Sequence, residues 1–484
     1  MHKRVLRASL TVFLLLCFAL SASADDKAIR DAVTRELDHP SMRHGWTGVC
    51  IQSLRDGRTI FARNEDVLLI PASNMKLLVS AVCADVLPAD FHYTTPVLRK
   101  GEVVDGTLNG DLYLKGTGDS TMENADLRKL AKAVKAAGIT RITGDVIGDG
   151  SVFDDTRLGS SWSWDYLAAY YAAEIDGLTV DRGCVRVLVK PGAVGESAKV
   201  TLEPDCGYVT VSNSAVTVAA GDKDTAVIDR PLGSNTIVVY GNIRAGSAGL
   251  DEAVSVREPS LHVAYLFRQF LRDEGIIVDG SARQGVTPPN LTKVAEHESP
   301  KLGKILDLLN KPSDNLIAES LLKTLGVVKK GKGTADAGAE VEREYLRRIG
   351  VPDAEWSIVD GSGLARMNML TPRAQVKNLR HAWKIPNKDL FVNSLPVAGV
   401  AGSIRSRMKG TPAEGNVKAK TGYIGRARTL SGYVTTKDGE PLVFCLMMNH
   451  YTGTTSDINA VQDRICTILA GSSTGKVPVA RKTK

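Results

Sequence analysis

The 484-residue chain has few aromatics, 5% of its residues, and few cysteines, seven in all. It has no CxxC or HExxH spacing, which removes the usual structural and catalytic zinc signatures. It has no charge of one sign: 61 Lys and Arg against 54 Asp and Glu give +7, too weak and too mixed for a nucleic-acid footprint. Its longest apolar run, Leu10–Leu20 (LTVFLLLCFAL), is shorter than the ~20 residues a membrane span needs. No repeat of solenoid or propeller period is present. What is there, 43% hydrophobic and 24% charged residues, suits a globular chain with two or three domains.

The apolar run follows Lys3, Arg4 and Arg7 and ends at Ala22-Ser23-Ala24 before Asp25-Asp26, the layout of a signal peptide with a small-residue cleavage site. Cleavage is expected after Ala24, giving an exported, periplasmic or cell-envelope protein with no transmembrane segment. Cys17 follows Leu16 and lacks the small residues expected before a lipidated cysteine. The processed chain carries +4 and six cysteines. An even count in an exported chain permits disulfides as local staples, and Cys184 with Cys206 is the first candidate pair.

Two strand-like runs, TGVCIQSL and RTIFARN, flank the turn Asp56-Gly57 and predict a hairpin. After Pro71-Ala72, the segment from Ser73 through LLVSAVCADVL predicts a largely buried helix. Short β-like runs with glycine turns fill about 94–256. Helical texture returns in LHVAYLFRQFLRDEG and NLIAESLLKTLG, then come the strands VKAKTGYI, TLSGYVTT and PLVFCLMMNHY and a final helix over about 456–470. The fold class expected is α/β (α+β): an antiparallel sheet, N-terminal hairpin beside C-terminal strands, flanked by helices and interrupted by β-rich insertions. The expected domains are a signal peptide at 1–24, a catalytic domain over 25–94 plus 257–484, an inserted domain over 95–180 plus 250–256, and a nested β-rich domain over 181–249.

Three motifs occur in order: Ser73-x-x-Lys76, Ser313-Asp314-Asn315 and Lys420-Thr421-Gly422. SxxK also occurs at Ser320–Lys323 and Ser473–Lys476, so the spacing alone is weak. Ser73 differs in opening a helix, where Lys76 falls one turn on, on the same face. Together the trio is the signature of β-lactamases and penicillin-binding proteins. Acyl transfer by serine needs a base near neutrality, and lysine becomes one when burial or a second cation lowers its pKa. Lys420 is the candidate second cation. The N–H groups of Ser73 and Tyr423 are candidate oxyanion donors. Ser313 is placed to relay a proton to the leaving amine, Asn315 to hold a substrate amide, and Lys420 with Thr421 to receive a substrate carboxylate. Taken singly, these motifs read as a helix cap, a second helix cap and a strand end with a bulge glycine.

Other signals weigh less. Gly471-Ser472-Ser473-Thr474-Gly475 matches GxSxG but follows a helix and enters a tail, so it is read as chance. His450 at a strand end is read as structural. Trp162, Trp164, Tyr166, Tyr170 and Tyr171 are read as a local core. The basic C-terminal tail is read as a solvated end.

Carrying these motifs, the sequence resembles the class C low-molecular-mass penicillin-binding proteins of the D-alanyl-D-alanine carboxypeptidase/endopeptidase type, peptidase family S13. The 240-residue gap between Ser73 and Ser313 is part of the likeness, as are Gly148-Asp149-Gly150, Asp360-Gly361-Ser362-Gly363-Leu364-Ala365-Arg366 and Leu395–Val400. The resemblance implies a β-lactamase/transpeptidase-like fold, with Ser73, Lys76, Ser313, Asn315 and Lys420 as catalytic residues. It further implies that Asp149 and Arg366 receive the polar end of the peptide side chain. Tyr423 departs from it, standing where a small hydroxyl residue often follows the motif glycine. So does Ala401-Gly402-Ser403-Ile404.

The expected activity is therefore that of a serine D,D-peptidase acting on peptidoglycan stem peptides through a Ser73 acyl-enzyme. β-Lactams are its expected covalent inhibitors, with no metal, cofactor or nucleic acid implied. The alternatives are a serine β-lactamase or esterase, which needs a group to activate the deacylating water, and a non-catalytic wall-binding protein. Glu319, one turn after Asn315, is read as part of a solvated helix face rather than as that group.

Overall fold

A computed structural model describes residues 26–474; the expected signal peptide at 1–24 and the end of the basic tail lie outside them. The chain forms two compact units. The first takes residues up to Leu87, Leu306–Ser313 and Glu342 onward; the second takes Pro88–Ile305 and Asp314–Val341.

The first unit is built on a five-stranded antiparallel sheet. Its strands are β1 (Trp46–Ser53), β2 (Thr59–Arg63), β3 (Lys418–Ile424), β4 (Ala427–Thr435) and β5 (Pro441–Asn449), in the order β2-β1-β5-β4-β3. The hairpin β1–β2 turns at Asp56-Gly57, where Gly57 has φ +82° and donates its N–H to Ser53 O at 3.1 Å. Alternation along the strands sends Val49, Ile51, Leu430, Phe444, Leu446 and Met448 into one core. A helix over residues 26–37 adds Ile29, Val33 and Leu37, and helix α3 (Thr455–Gly471) adds Ile458, Val461, Ile465 and Leu469. Thr454 and Asp457 cap α3 reciprocally. On the other face, α2 (Pro372–Ala382) packs on β1 and β5, and α1 (Met75–Val86) packs on α2. Every residue of α1 from Met75 to Ala84 is buried, as its near-unbroken apolar sequence predicts.

The second unit holds a seven-stranded sheet around the hairpin Thr94–Val104/Thr107–Lys115, covered by the helices Asn124–Ala136 and Pro259–Asp273. A separate β core gathers Val185, Val187, Val189, Ile237, Val239 and Val254. The division differs from the one expected. Residues 257–305 were assigned to the catalytic domain, but Ala282–Gln284 pairs with Val146–Asp149 and Thr292–Glu298 with Thr94–Val104. Val263, Phe267 and Phe270 of the helix Pro259–Asp273, which precedes both strands, fill the core under that sheet. The segment Asp314–Val341 also belongs to this unit.

Three further expectations are corrected. Cys184 and Cys206 are both free. Cys184 Sγ donates to Arg182 O at 3.4 Å, whereas Cys206 packs against the core of the seven-stranded sheet. The aromatic cluster is not a core: Trp164 and Tyr170 are exposed, and Tyr166, Tyr170 and Tyr171 meet edge-on at the surface, while Trp162 packs on Phe153, Ile175 and Leu316. Glu319 is buried, because the helix Asn315–Lys330 is buried on all sides from Leu316 to Gly326.

Candidate active site

Ser73 sits in a 3-10 turn, Ala72–Asn74, that feeds directly into α1. Ala72 holds φ +46°, a cost for a residue with a Cβ, and the surroundings hold the turn in place. Thr429 Oγ1 donates to Pro71 O at 2.8 Å, and Asn74 Nδ2 donates to Lys420 O at 2.9 Å. Ser431 Oγ donates to Asn74 Oδ1 at 2.6 Å, and the amide of Asn449 brackets Ile70 through both its oxygen and its nitrogen. These groups tie the nucleophile turn to β3, β4 and β5. Two glycines permit the close approach. A Cβ on Gly422 would stand 2.7 Å from Pro71 O and 3.1 Å from Ser73 N; on Gly363 it would stand 1.9 Å from Ala72 O.

One turn into the helix, Lys76 is fully buried, with Nζ 3.0 Å from Ser73 Oγ and 2.6 Å from the carbonyl oxygen of Ser362. The loop bearing Ser362 is held by the buried carboxylate of Asp360, which accepts from Gly363 N and Ala365 N, each at 2.7 Å, and from Asn368 Nδ2 at 2.7 Å. Asn368 Oδ1 in turn accepts from Val359 N and Asp360 N.

Ser313 closes the segment Leu306–Ser313, which Asn310 anchors by donating to Ser394 Oγ at 2.8 Å. Its φ is +68°, a second non-glycine residue held left-handed. Lys420, fully buried on β3, donates to Ser313 Oγ at 2.7 Å and to Thr421 O at 2.8 Å. Burial first, then the charges of Lys76 and Arg428, pushes the Lys420 ammonium well below its ordinary range. The neighbouring charge of Lys76 thus disfavours a second proton on Lys420.

Thr421 Oγ1 lies 2.8 Å from Ser403 Oγ. The side chain of Tyr423 is exposed, with the Arg428 guanidinium 5.0 Å from its ring centre. Arg366 is exposed and donates both guanidinium nitrogens to Gly425 O at 2.8 Å.

The structure thus brings Ser73, Lys76, Ser313, Lys420 and Thr421 into one constellation of the first unit. Asn315 and Asp149 belong to the second unit. There Asn315 Nδ2 donates to Tyr171 O at 2.7 Å. Asp149 is buried beside a cavity of about 390 Å³ that Arg157, Asp176 and Gln284 also line. Burial works against its charge, but the side chains of Ser151 and Thr287, and then their N–H groups at 2.9 Å and 2.7 Å, outweigh it and hold the carboxyl below its usual range. Sequence reasoning did not single out Asn74, Ser362, Asp360, Ser403 or Ser431 as site residues. Asp360 and Ser362 lay inside a quoted segment, but the bond from Lys76 Nζ to Ser362 O spans 286 residues of sequence.

Residues 29–470 match the model of the D-Ala-D-Ala carboxypeptidase 3 (S13) family. A D-alanyl-D-alanine carboxypeptidase of an Actinomadura species is 38% identical over 463 residues, 91% of this chain and 84% of the relative. The D-alanyl-D-alanine carboxypeptidase DacB of Haemophilus influenzae is 26% identical over 428 residues, 86% of this chain and 88% of its own. The crystal structure of penicillin binding protein 4 (dacB) from H. influenzae superposes with a TM-score of 0.81 at 24% identity, over 90% of this chain and 97% of that one. Its complex with a β-lactam gives 0.74 at 23% identity over the same shares.

The fold and the motifs define a serine peptidase of the penicillin-binding class, mixed α/β as expected. The chain belongs to the D-Ala-D-Ala carboxypeptidase 3 (S13) family.

Proposed function

We propose that this chain is an exported enzyme of the cell envelope that hydrolyses peptidoglycan stem peptides at the penultimate D-alanine, through an acyl-enzyme on Ser73. Among the described residues no helix is long and apolar enough to cross a membrane. The observation that carries the reading is the pair of lysine–serine contacts, Lys76 to Ser73 and Lys420 to Ser313, with the two lysines coupled in charge.

A neutral Lys76 that gives one N–H to Ser362 O turns its lone pair toward Ser73 Oγ–H. Ser73 Oγ attacks the D-alanine carbonyl carbon as its proton passes to Lys76 Nζ. The N–H groups of Ser73 and Tyr423 receive the oxyanion. As the tetrahedral intermediate collapses, Ser313, bonded to Lys420, passes a proton to the departing amine. D-Alanine leaves in carboxypeptidase action, and a cross-linking amine leaves in endopeptidase action. Water then attacks the ester, giving up its proton through the same amines.

Lys420 and Thr421 with its neighbour Ser403 receive the terminal carboxylate. Tyr423 in place of a hydroxyl residue leaves that receptor to these three side chains. Asn315 is assigned the substrate amide, and Asp149 and Arg366 the polar end of the peptide side chain, on the strength of the family resemblance. A β-lactam presents a strained amide beside a carboxylate, so it is expected to acylate Ser73 and stay attached.

The test is release of D-alanine from a synthetic stem pentapeptide ending in D-Ala-D-Ala, followed by mass spectrometry. Steady release by the wild type and none by Ser73→Ala is expected. Equal release by both proteins overturns the assignment of Ser73.

A further inference from the structure

Four residues stand in one cross-strand row of the catalytic sheet: Lys420 pairs with Ser431, Ser431 with Cys445, and Cys445 with Cys50. Side chains in such a row share a face. The neighbouring row, Leu430, Leu446 and Val49, points into the core, so this row points the opposite way, toward the face that carries Lys420 Nζ. Ser431 is also the residue that fixes Asn74, and through it the nucleophile turn.

Cys445 and Cys50 are fully buried and both hold free thiols. Their opposition belongs to an unbroken register that runs from Trp46 against Asn449 to Ser53 against Leu442. Residues directly opposed on antiparallel strands have Cα atoms about 4.5–5.5 Å apart, within the roughly 4.4–6.8 Å that a disulfide spans.

We propose that Cys50 and Cys445 are joined by a cross-strand disulfide when the protein folds under oxidising conditions. The bond ties the strand nearest the N-terminus to a C-terminal strand, in the row of the catalytic lysine. It forms by thiol–disulfide exchange: a disulfide reagent such as glutathione disulfide, or an oxidised dithiol of the envelope, is reduced to two thiols as the Cys50–Cys445 bond forms and both cysteines lose their S–H hydrogens.

In the reduced protein the Cys50 thiol donates to Glu65 Oε2 at 3.2 Å, the hydrogen bond that the disulfide removes. Burial and then the Glu65 carboxylate raise the Cys50 thiol far above its ordinary range, and burial pushes Cys445 up to about 12. Thiolate is therefore scarce once the sheet has closed, so exchange belongs to the stage before β1 docks on β5. Cys83 on α1 and Cys466 on α3 have no cross-strand partner and serve as internal thiol controls. The proposal rests on sheet register alone and is independent of the peptidase reading.

The test uses the full chain secreted into an oxidising compartment, quenched in acid, alkylated in denaturant without reductant and digested for mass spectrometry. The expected result is a linked peptide pair containing Cys50 and Cys445, released by reductant, with Cys83 and Cys466 alkylated. Alkylation of both Cys50 and Cys445 overturns the proposal, as does linkage of Cys50 to any other cysteine. In Cys445→Ser, Cys50 is expected to be alkylated; a Cys50 still linked in that variant also overturns it.

Discussion

The Nζ of Lys76 meets the carbonyl oxygen of Ser362 at 2.6 Å across 286 residues of sequence, while standing 3.0 Å from Ser73 Oγ. The amine is thereby aimed by a backbone group, and that group is only as well placed as the loop around Asp360. Asp360→Asn replaces one carboxylate oxygen by an NH2 donor, which then faces at least one of the three N–H groups that shape the loop. Asp360→Asn is expected to slow acylation by benzylpenicillin about 10-fold or more, since a catalytic amine misplaced by a fraction of an ångström loses its geometry. Stopped-flow acylation kinetics, with circular dichroism to confirm the fold, checks this; an unchanged rate contradicts it.

Lys420 supplies a second prediction. Its folded pKa is depressed, so between that value and 10.5 the folded chain binds fewer protons than the unfolded chain, and the stability owed to this group rises with pH through that window. A bound carboxylate reverses the shift, so binding takes up a proton. Calorimetry of a D-Ala-D-Ala peptide binding to Ser73→Ala in two buffers of different ionisation enthalpy is expected to show net proton uptake, with affinity falling as pH rises above neutrality. Binding with no proton exchange contradicts a carboxylate role for Lys420.

Gly422→Ala tests the packing of β3 on the nucleophile turn. The added methyl meets Thr429 Oγ1, Pro71 O and Ser73 N. The strand moves away from Ser73 and takes the Tyr423 N–H with it. Acylation is expected to fall by about 100-fold, the order of losing one oxyanion donor, while the thermal midpoint drops by a few degrees. Retained acylation contradicts the placement of that donor.

How much of this was legible follows from how local each signal was. The hairpin at Asp56-Gly57, the buried helix after Ser73 and the three C-terminal strands carry their own periodicity and turn residues, so they read directly from the chain. The motifs did too, because Ser73 and Lys76 are one helical turn apart and Lys420-Thr421-Gly422 is contiguous. The carbonyl of Ser362 leaves no mark in side-chain pattern, and the bond from Asn74 to Lys420 O links residues 346 apart. The affiliation of 257–305 misread for a related reason: the helix Pro259–Asp273 is amphipathic in either setting, and only the pairing of Ala282–Gln284 and Thr292–Glu298 decides which sheet it covers. Glu319 misread because a glutamate on a helix is usually solvated, whereas this helix is enclosed.

His262 predicts an acid sensitivity in the second unit. It is fully buried, stacks on Tyr208 at 5.4 Å, and neither ring nitrogen has a hydrogen-bond partner among the described residues. Burial lowers its pKa from 6.5 to about 4, so the unfolded chain binds the extra proton first and stability falls as pH drops through that range. The loss amounts to about 3 kcal/mol at most. His262→Phe is expected to lose less stability than the wild type between pH 7 and pH 4.5 in urea unfolding; an equal loss contradicts the account.

The central claim is that Ser73 is the acylated nucleophile. Intact-mass spectrometry of the protein with and without benzylpenicillin, beside Ser73→Ala, tests it most directly. The account predicts one adduct of the drug's mass on the wild type and none on Ser73→Ala. A folded wild type that takes up no drug, or an equal adduct on Ser73→Ala, would contradict it.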